Sequence, residues 1–350
     1  MALLEGRRQE VDRIPALCAA RTYIKDAMEK YDAYWPESHK DPDKMAKLAA
    51  GVYRLTGNEN ISVPFEMTLE AEAIGAPLDF FEGRGKEVKW VNVKDFIAED
   101  VSDMKLPEDP SKAGRIPVLC EAIRILKKEF EGKVPVMGIL NAPFTSISSY
   151  IVEPTQFLKW IRTKPEKVKE FVDAATDTYA GFANAFKDAG ADVIVITEEG
   201  VSLDNISPKA FDRIIKPYLS KLIGLIEPPI ILHTCGQLIS REKPDIETMS
   251  GLLECGGNAL SIEERTPLEI AIEIRDKIKP DLPIGGNINA FTVIFEGPIE
   301  KIRESVKQVI EKRVDMVMPG CDYWLETPSE HIKAFVDATI EFGTPPYWKK

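Results

Sequence analysis

Residues 165–197 read "PEKVKEFVDAATDTYAGFANAFKDAGADVIVIT", and two structural patterns meet in this stretch. The first part carries apolar residues at helical spacing, such as Val168 and Val172, and closes at Gly190, which predicts a helix ending at a glycine. The run "DVIVIT" follows at once, and its β-branched residues predict a buried strand over 192–197. A helix followed directly by a short apolar strand is typical of parallel α/β sheets.

The same alternation of strand and helix patterns extends along most of the chain. Further short apolar runs predict strands at 14–17, 61–64, 134–139, 230–233, 259–262, 283–286 and 315–318. Eight parallel strands with intervening helices predict a single (β/α)8, or TIM, barrel that spans residues 1–350. The charged stretch around 80–115 is predicted to be an insertion that lies over the barrel.

The overall composition excludes several classes of function. The chain has 350 residues and a formal net charge of -12, with acidic and basic residues mixed along most helical stretches. Nucleic-acid binding needs a concentrated positive surface, so nucleic acid is not an expected partner. The apolar runs are too short to span a bilayer, and the N-terminal residues become charged before a signal-peptide apolar region develops. We therefore expect a cytoplasmic protein with no membrane partner.

A histidine and two cysteines form a candidate metal site. His233 and Cys235 lie at the end of the strand predicted over 230–233, and in an extended segment residues two apart project to the same side. Cys321 follows the last predicted strand after a Pro-Gly turn. Reactive residues of (β/α)8 barrels lie at the carboxyl ends of the strands, so all three could face one mouth. Cys321 is too distant for a local zinc-finger spacing, and only tertiary folding could unite the three.

The types of donor atom indicate zinc. Two thiolates and one imidazole suit this borderline-soft ion, and three protein ligands leave a fourth position open, as in catalytic zinc sites. The five cysteines are odd in number and scattered, which favours reduced thiols. In the alternative interpretation, Cys235 and Cys321 are small buried residues and His233 is a hydrogen-bonded histidine at a strand end. That is the commoner situation for an arbitrary His-x-Cys pair, so the three residues alone leave both interpretations open.

Other polar residues at predicted strand ends are candidates for the reaction. Glu198 and Glu263 each follow a strand, where a carboxylate can orient a metal-bound histidine or accept a proton. An exposed acidic loop explains them equally well. Asn287 follows two glycines that would let a ligand approach closely, and Cys18 could line the same mouth.

Five segments together carry a resemblance to a known family. They are "VDRIP" at 11–15, "AGADVIVI" at 189–196, "ILHTCGQ" at 231–237, "PIGGNINA" at 283–290 and "PGCDYWLETPSEHIKAFVDA" at 319–338. Together they resemble the uroporphyrinogen decarboxylase superfamily and, within it, the methylcobalamin:coenzyme M methyltransferases of methylotrophic methanogens. The resemblance extends over nearly the whole chain, and the conjunction of the segments is far more specific than any one of them.

The resemblance implies a fold, a metal and a reaction. It implies a barrel of the uroporphyrinogen decarboxylase type in which zinc is held by His233, Cys235 and Cys321. The reaction would move a methyl group from a methylated corrinoid protein, a methylcobalamin-type donor, to the thiol of coenzyme M. The candidates for binding the substrate are Asn287 and, because they adjoin strand ends and could hold the sulfonate, Arg21 and Arg265.

Departures from the family pattern leave other functions open. The decarboxylases carry an arginine-rich "RQAGR" segment that grips substrate carboxylates, whereas "PALCAARTYIK" at 15–25 retains only Arg21, so decarboxylation of a tetrapyrrole is not expected. The aromatic pair Tyr323 and Trp324 replaces smaller residues of some methanol-pathway members and leaves the upstream methyl source open. One alternative is transfer in the opposite sense, from a methylated substrate to a corrinoid protein. Another is a noncatalytic zinc protein that docks to a corrinoid module.

Overall fold

The computed structural model of the protein describes residues 1–82, 88–239 and 246–344. The strands in these ranges are Ile61–Val63 (β1), Leu78–Asp79 (β2), Asn92–Val93 (β3), Val136–Asn141 (β4), Val193–Thr197 (β5), Ile230–Thr234 (β6), Ala259–Ile262 (β7), Ile284–Ile288 (β8) and Met316–Pro319 (β9). Seven of them form one parallel sheet in the order β1-β4-β5-β6-β7-β8-β9. The remaining two, β2 and β3, pair antiparallel outside that sheet.

The eighth position of the barrel lies between β9 and β1. Ala16 forms a parallel bridge with Val317 of β9. The N–H of Glu59, just before β1, donates to the carbonyl of Ala16 at 2.9 Å. The segment around Ala16 therefore joins the last strand of the sheet to the first, and the predicted (β/α)8 barrel is confirmed.

The prediction of a regular strand over 14–17 is wrong. This segment forms a single parallel bridge, between Ala16 and Val317, instead of a continuous strand. Pro15 has no N–H to donate to a ladder. The side chain of Asn60 replaces ladder bonds on the other side. Its Oδ1 accepts from the N–H of Cys18 at 2.9 Å, and its Nδ2 donates to the Cys18 carbonyl at 3.0 Å.

Helices connect the strands of the sheet on the outside of the barrel. The α-helices in the described ranges are Lys25–Tyr31 (α1), Pro42–Thr56 (α2), Leu69–Ala73 (α3), Ile116–Phe130 (α4), Pro143–Ser146 (α5), Pro154–Thr163 (α6), Pro165–Asp188 (α7), Pro208–Ala210 (α8), Lys216–Leu225 (α9), Ile246–Glu254 (α10), Leu268–Ile278 (α11), Ile299–Glu311 (α12) and Ser329–Phe342 (α13). None of these helices combines the length and the apolar composition that crossing a bilayer requires.

Helix α7 and strand β5 realise the patterns of 165–197. Pro165 is the first residue of α7, where the missing N–H costs nothing, and Val168 and Val172 are buried. The helix ends at Asp188, and Gly190 takes a φ of +106° that L side chains rarely adopt. The chain can therefore turn at once into β5.

Side chains inside the barrel change from apolar to polar along β5 and β6. On β5, Val193 and Val195 belong to an interior apolar cluster, and two residues further Thr197 occupies the same face. On β6, Ile231 belongs to that cluster and His233 follows it. The amino-terminal half of the barrel is thus packed with apolar residues, and polar groups are presented at the carboxyl ends.

The segment around 80–115 contains β3 and two 3-10 helices, and its residues 83–87 lie outside the described ranges. Trp90 packs against Tyr23 and Trp35, with ring centroids 4.9 and 5.2 Å apart. This contact joins the segment to the chain that follows the bridge at Ala16. The organisation of residues 1–350 as one domain with an insertion there stays a prediction.

Candidate metal centre

Three side chains converge at the carboxyl ends of β6 and β9. Nε2 of His233 lies 3.3 Å from Sγ of Cys235, and that sulfur lies 3.4 Å from Sγ of Cys321. All three donor atoms lie within 4.8 Å of one another. Tertiary folding therefore unites the His-x-Cys pair with the distant cysteine.

The backbone turn after Cys235 lies close to the side chains of neighbouring residues. Gly236 has a φ of +85°, and a Cβ there would lie 2.5 Å from Oγ of Ser202. Its N–H donates to Oε2 of Glu263. The other oxygen of Glu263 accepts from Nε of Arg265 at 2.8 Å. The carboxylate of Glu263 therefore holds the turn that carries Cys235.

The orientation of His233 is fixed by Ser261. These residues lie level on neighbouring strands, and Nδ1 of His233 is 3.0 Å from Oγ of Ser261. This contact leaves Nε2 directed at the cysteine sulfurs. Burial, with a smaller effect of the Arg21 charge, lowers the pKa of His233 to about 3. The imidazole is therefore neutral at physiological pH, as a metal ligand must be.

The donor set fits zinc. Bond lengths of about 2.3 Å to sulfur and about 2.0 Å to nitrogen place neighbouring donors of a tetrahedral zinc roughly 3.5–3.8 Å apart. The donor spacings of 3.3 and 3.4 Å are close to that range. The hydrogen bond with Cys321, followed by burial, raises the pKa of the Cys235 thiol well above its usual value. A cation bound at the site would favour the ionised thiolate of Cys235 by compensating its charge.

The two glutamates after β5 lie in different surroundings. Glu198 is buried, and its Oε1 accepts from Oγ1 of Thr145 at 2.5 Å and from the N–H of Gly200 at 3.0 Å. Glu199 continues the face of Thr197, which lies beside His233. Burial raises the pKa of both carboxyl groups to about 7. Continuing the alternation beyond the end of β5 favours Glu199, rather than Glu198, for the face of the metal donors, and the charge of Glu199 contributes to the raised pKa of Cys235.

The three residues predicted to bind substrate occupy different positions. Arg21 is buried, and its guanidinium donates to Oδ1 of Asn141 at 2.7 Å and to the carbonyl of Glu66 at 3.1 Å. Asn287 donates through Nδ2 to the carbonyl of Thr266 at 2.8 Å. Arg265, by contrast, has 52% of its side chain exposed and pairs with Asp204 and Glu263. Arg265 is therefore the accessible cation of the set.

Comparison with known proteins identifies the family. The family model of uroporphyrinogen decarboxylase (URO-D) matches residues 3–342. The chain belongs to the uroporphyrinogen decarboxylase family. The family assignment made from sequence segments is thereby confirmed.

The relatives of this uroporphyrinogen decarboxylase family member include methyltransferases. The methylcobamide:CoM methyltransferase MtaA of Methanosarcina barkeri is 31% identical over 342 residues, which are 98% of this chain and 96% of the relative. The methylated-thiol–coenzyme M methyltransferase of Methanosarcina mazei is 30% identical over 346 residues, 99% of this chain and 89% of the relative. A solved structure of a methyltransferase from Methanosarcina mazei superposes with a TM-score of 0.88 at 31% identity, covering 97% of each chain. The predicted enzyme class, a methyltransferase, is confirmed.

Two residues at the site of this family member escaped the sequence analysis. Ser261 is a single hydroxyl in an apolar strand, and its proximity to His233 depends on the register between β6 and β7. Asp322 follows Cys321, and its Oδ1 accepts from the N–H of Arg21 at 2.6 Å. Cys18, which the sequence offers as a residue that could line the mouth, has Sγ 3.8 Å from the carbonyl of Cys321. Strand register could have indicated Ser261, but no local pattern indicates the contact of Asp322.

Replacing Ser261 by alanine should weaken zinc binding about 10-fold. A hydrogen bond that orients a metal-binding histidine typically changes metal affinity by this factor or more. Competition with a chromophoric chelator measures the affinity. Ser38→Ala is the matched control, since Ser38 is also buried and its Oγ donates to the carbonyl of Tyr34 at 3.0 Å. Equal affinities of the two variants would show that Ser261 does not orient His233.

Replacing Glu198 by glutamine should stabilise the protein at pH 8 by about 1–3 kcal/mol and much less at pH 5. Burial raises the pKa of this carboxyl from 4.5 to about 7, so the folded protein keeps a proton that the unfolded chain releases. Wild-type stability therefore falls as pH rises through this window, whereas a glutamine does not titrate. Urea unfolding at both pH values tests this, with the exposed Glu29→Gln as control. If Glu198→Gln stabilised the protein equally at both pH values, ionisation of Glu198 would not explain the stabilisation.

Proposed function

We propose that this protein transfers a methyl group from a methylated corrinoid protein to the thiol of coenzyme M, using one zinc ion held by His233, Cys235 and Cys321. The observation that carries the proposal is the convergence of these three donor atoms within 4.8 Å at the mouth of the barrel. The names of the relatives supply the methyl donor and the acceptor. Because the relatives are named as enzymes, the noncatalytic alternative has no support from them.

The protein's own residues would prepare the site for a thiol substrate. Zinc, when bound, supplies a positive charge that favours the ionised and more nucleophilic form of a thiol. Ser261 holds Nδ1 of His233 and leaves Nε2 for the metal, and Glu263 holds the turn next to Cys235. Three protein donors leave one position for the substrate sulfur. Apolar residues pack inside the barrel on the amino-terminal side of the donors, which favours approach of the substrates from the mouth.

The exposure of Arg265, which also pairs with Asp204 and Glu263, supports a role for it in holding the sulfonate. Coenzyme M is an anion, and Arg265 is half exposed near the turn of Cys235. Arg21 is fully buried, and acidic groups surround its charge, foremost Asp322 and Glu199. We therefore propose that Arg265, rather than Arg21, binds the sulfonate. We propose that Asn287 holds the loop after β7.

Transfer in the opposite sense is the second candidate function. The relative named as a methylated-thiol–coenzyme M methyltransferase favours it, because that name includes a methylated thiol as substrate. Both candidates use the same three metal donors and a corrinoid partner. They differ in the methyl donor.

An assay with free cobalamins separates these functions. Zinc-loaded protein is mixed either with methylcobalamin and coenzyme M, or with cob(I)alamin and a methylated thiol. The visible spectrum of methylcobalamin measures its consumption. Its consumption together with the formation of methyl-coenzyme M supports the first function. Methylation of cob(I)alamin without the first reaction supports the second, and no turnover in either mixture rejects both. Chelator-treated protein is the control and should be inactive.

A further inference from the structure

Cys321 differs from the other two metal donors in how it is held. His233 lies within β6, which is paired on both sides, and Cys235 follows that strand directly. Cys321 lies beyond the end of β9 at Pro319, where the neighbouring segment around Ala16 contributes one bridge instead of a ladder. On the β8 side the N–H of Gly320 still donates to the carbonyl of Ile288 at 2.7 Å, so backbone pairing holds the chain before Cys321 from one side only.

The side chain of Asp322 supplies contacts where the ladder is missing. Its Oδ1 accepts from the backbone N–H of Arg21 at 2.6 Å, and its Oδ2 accepts from the hydroxyl of Tyr23 at 3.3 Å. Both partners belong to the chain that continues from the bridge at Ala16. The carboxylate therefore ties the residue next to Cys321 to the eighth position of the barrel.

Tyr23 is itself held in place by aromatic packing. The residue is 2% exposed, and its ring packs against Trp35 and Trp90 with centroid distances of 5.2 and 4.9 Å. These contacts involve the ring and leave the hydroxyl directed at Asp322. Replacing Tyr23 by phenylalanine would remove the hydroxyl and keep the ring in its packed position.

We propose that Asp322 is a positioning residue that holds Cys321 at the His233–Cys235 pair, and that Tyr23 and the backbone of Arg21 hold Asp322. This inference rests on the proposed metal centre. Residues that orient metal ligands through hydrogen bonds affect metal affinity without touching the ion. Here the effect acts through the backbone, because Asp322 directly follows the ligand.

Other contacts keep the same loop folded when Asp322 is replaced. The N–H of Lys25 donates to the carbonyl of Leu325 at 2.8 Å. The hydroxyl of the buried Tyr323 donates to Oδ1 of Asn58 at 3.0 Å. A substitution at Asp322 should therefore change the position of Cys321 more than the fold of the loop.

The experiment compares four variants with the wild type by zinc competition and by the absorption of the cobalt(II)-substituted protein. Asp322→Ala should bind zinc about 10–100-fold more weakly and lose part of the thiolate-to-cobalt absorption. Tyr23→Phe should bind about 3–10-fold more weakly. Asp322→Asn keeps an oxygen for the Arg21 N–H and should stay within about 5-fold of the wild type. Trp324→Ala, at an exposed residue of the same loop, is the control and should bind normally.

Each contrary result has a distinct meaning. Normal zinc affinity and cobalt absorption in Asp322→Ala would overturn the positioning role. Asparagine as damaging as alanine would overturn it too, because the charge of Asp322 would then be responsible. An equal loss in Trp324→Ala would make the effect a general property of the loop. If Asp322→Ala fails to fold, normal affinity in Tyr23→Phe decides against the inference. A wild-type protein that binds no zinc would instead reject the proposed function.

Discussion

Replacing Cys321 by alanine should leave less than about one tenth of the wild-type zinc and lower methyl transfer more than about 100-fold. The expected loss is large because removing a residue that binds the metal directly should weaken binding more than removing a hydrogen bond that orients such a residue. Two donors, His233 and Cys235, would remain, and within the described ranges no other histidine, cysteine or carboxylate belongs to this group. Metal analysis of the purified protein and the methylcobalamin assay measure the two effects.

Cys120→Ala is the matched control for this prediction. Cys120 is a buried thiol of α4 whose Sγ lies 3.4 Å from the carbonyl of Ala185, away from the three donors. The control should keep its zinc and its activity. Full zinc retention in Cys321→Ala would remove Cys321 from the site. Zinc loss with normal turnover would instead show that the metal is not needed for the reaction.

Replacing Gly286 by alanine should destabilise the protein by about 2–4 kcal/mol. Gly286 lies in β8 with a φ of +147°, and a Cβ there would meet the backbone carbonyl oxygen of Ile262 at 2.7 Å. The neighbouring strand cannot withdraw without breaking its own pairing. Thermal unfolding should show a fall of about 3–6 °C in the melting temperature for a chain of this size.

Gly224→Ala, also a replacement of glycine by alanine, should not destabilise the protein. Gly224 lies in α9, and a Cβ there would meet no atom within 4 Å. Alanine should therefore be neutral or stabilise the protein by up to about 1 kcal/mol. Equal melting temperatures of Gly286→Ala and the wild type would show that β7 and β8 can separate at little cost.

The glycines before Asn287 also illustrate a limit of inference from sequence. The pattern suggests room for a ligand, but at Gly286 the close approach is that of the Ile262 carbonyl. A glycine in a strand signals that something lies near its Cα, and the residue type does not identify the neighbour. For Asn287 the structure gives a hydrogen bond to the Thr266 carbonyl, while a contact with substrate stays a prediction.

The alternation of the strands explains why the pair of glutamates after β5 was difficult to assign. Glu198 is a candidate from the sequence, and its role in the reaction stays a prediction. Counting in steps of two from the interior residue Val195 leads to Thr197 and Glu199. The same count from Ile231 leads to His233 and Cys235. Glu199 could thus have been chosen from sequence once the inward face of β5 was known.

The sequence by itself determined the features that depend on local spacing. Helical and strand periods gave the barrel, and the spacing of His233 and Cys235 put both on one side of an extended segment. Tertiary structure alone decided which distant groups meet them. The approach of Cys321 depends on closure of the barrel, and the contacts of Ser261 and Asp322 depend on strand register and on an irregular eighth position. Such contacts join residues far apart in the chain, so no local pattern encodes them and only the packing of the whole barrel fixes their distances.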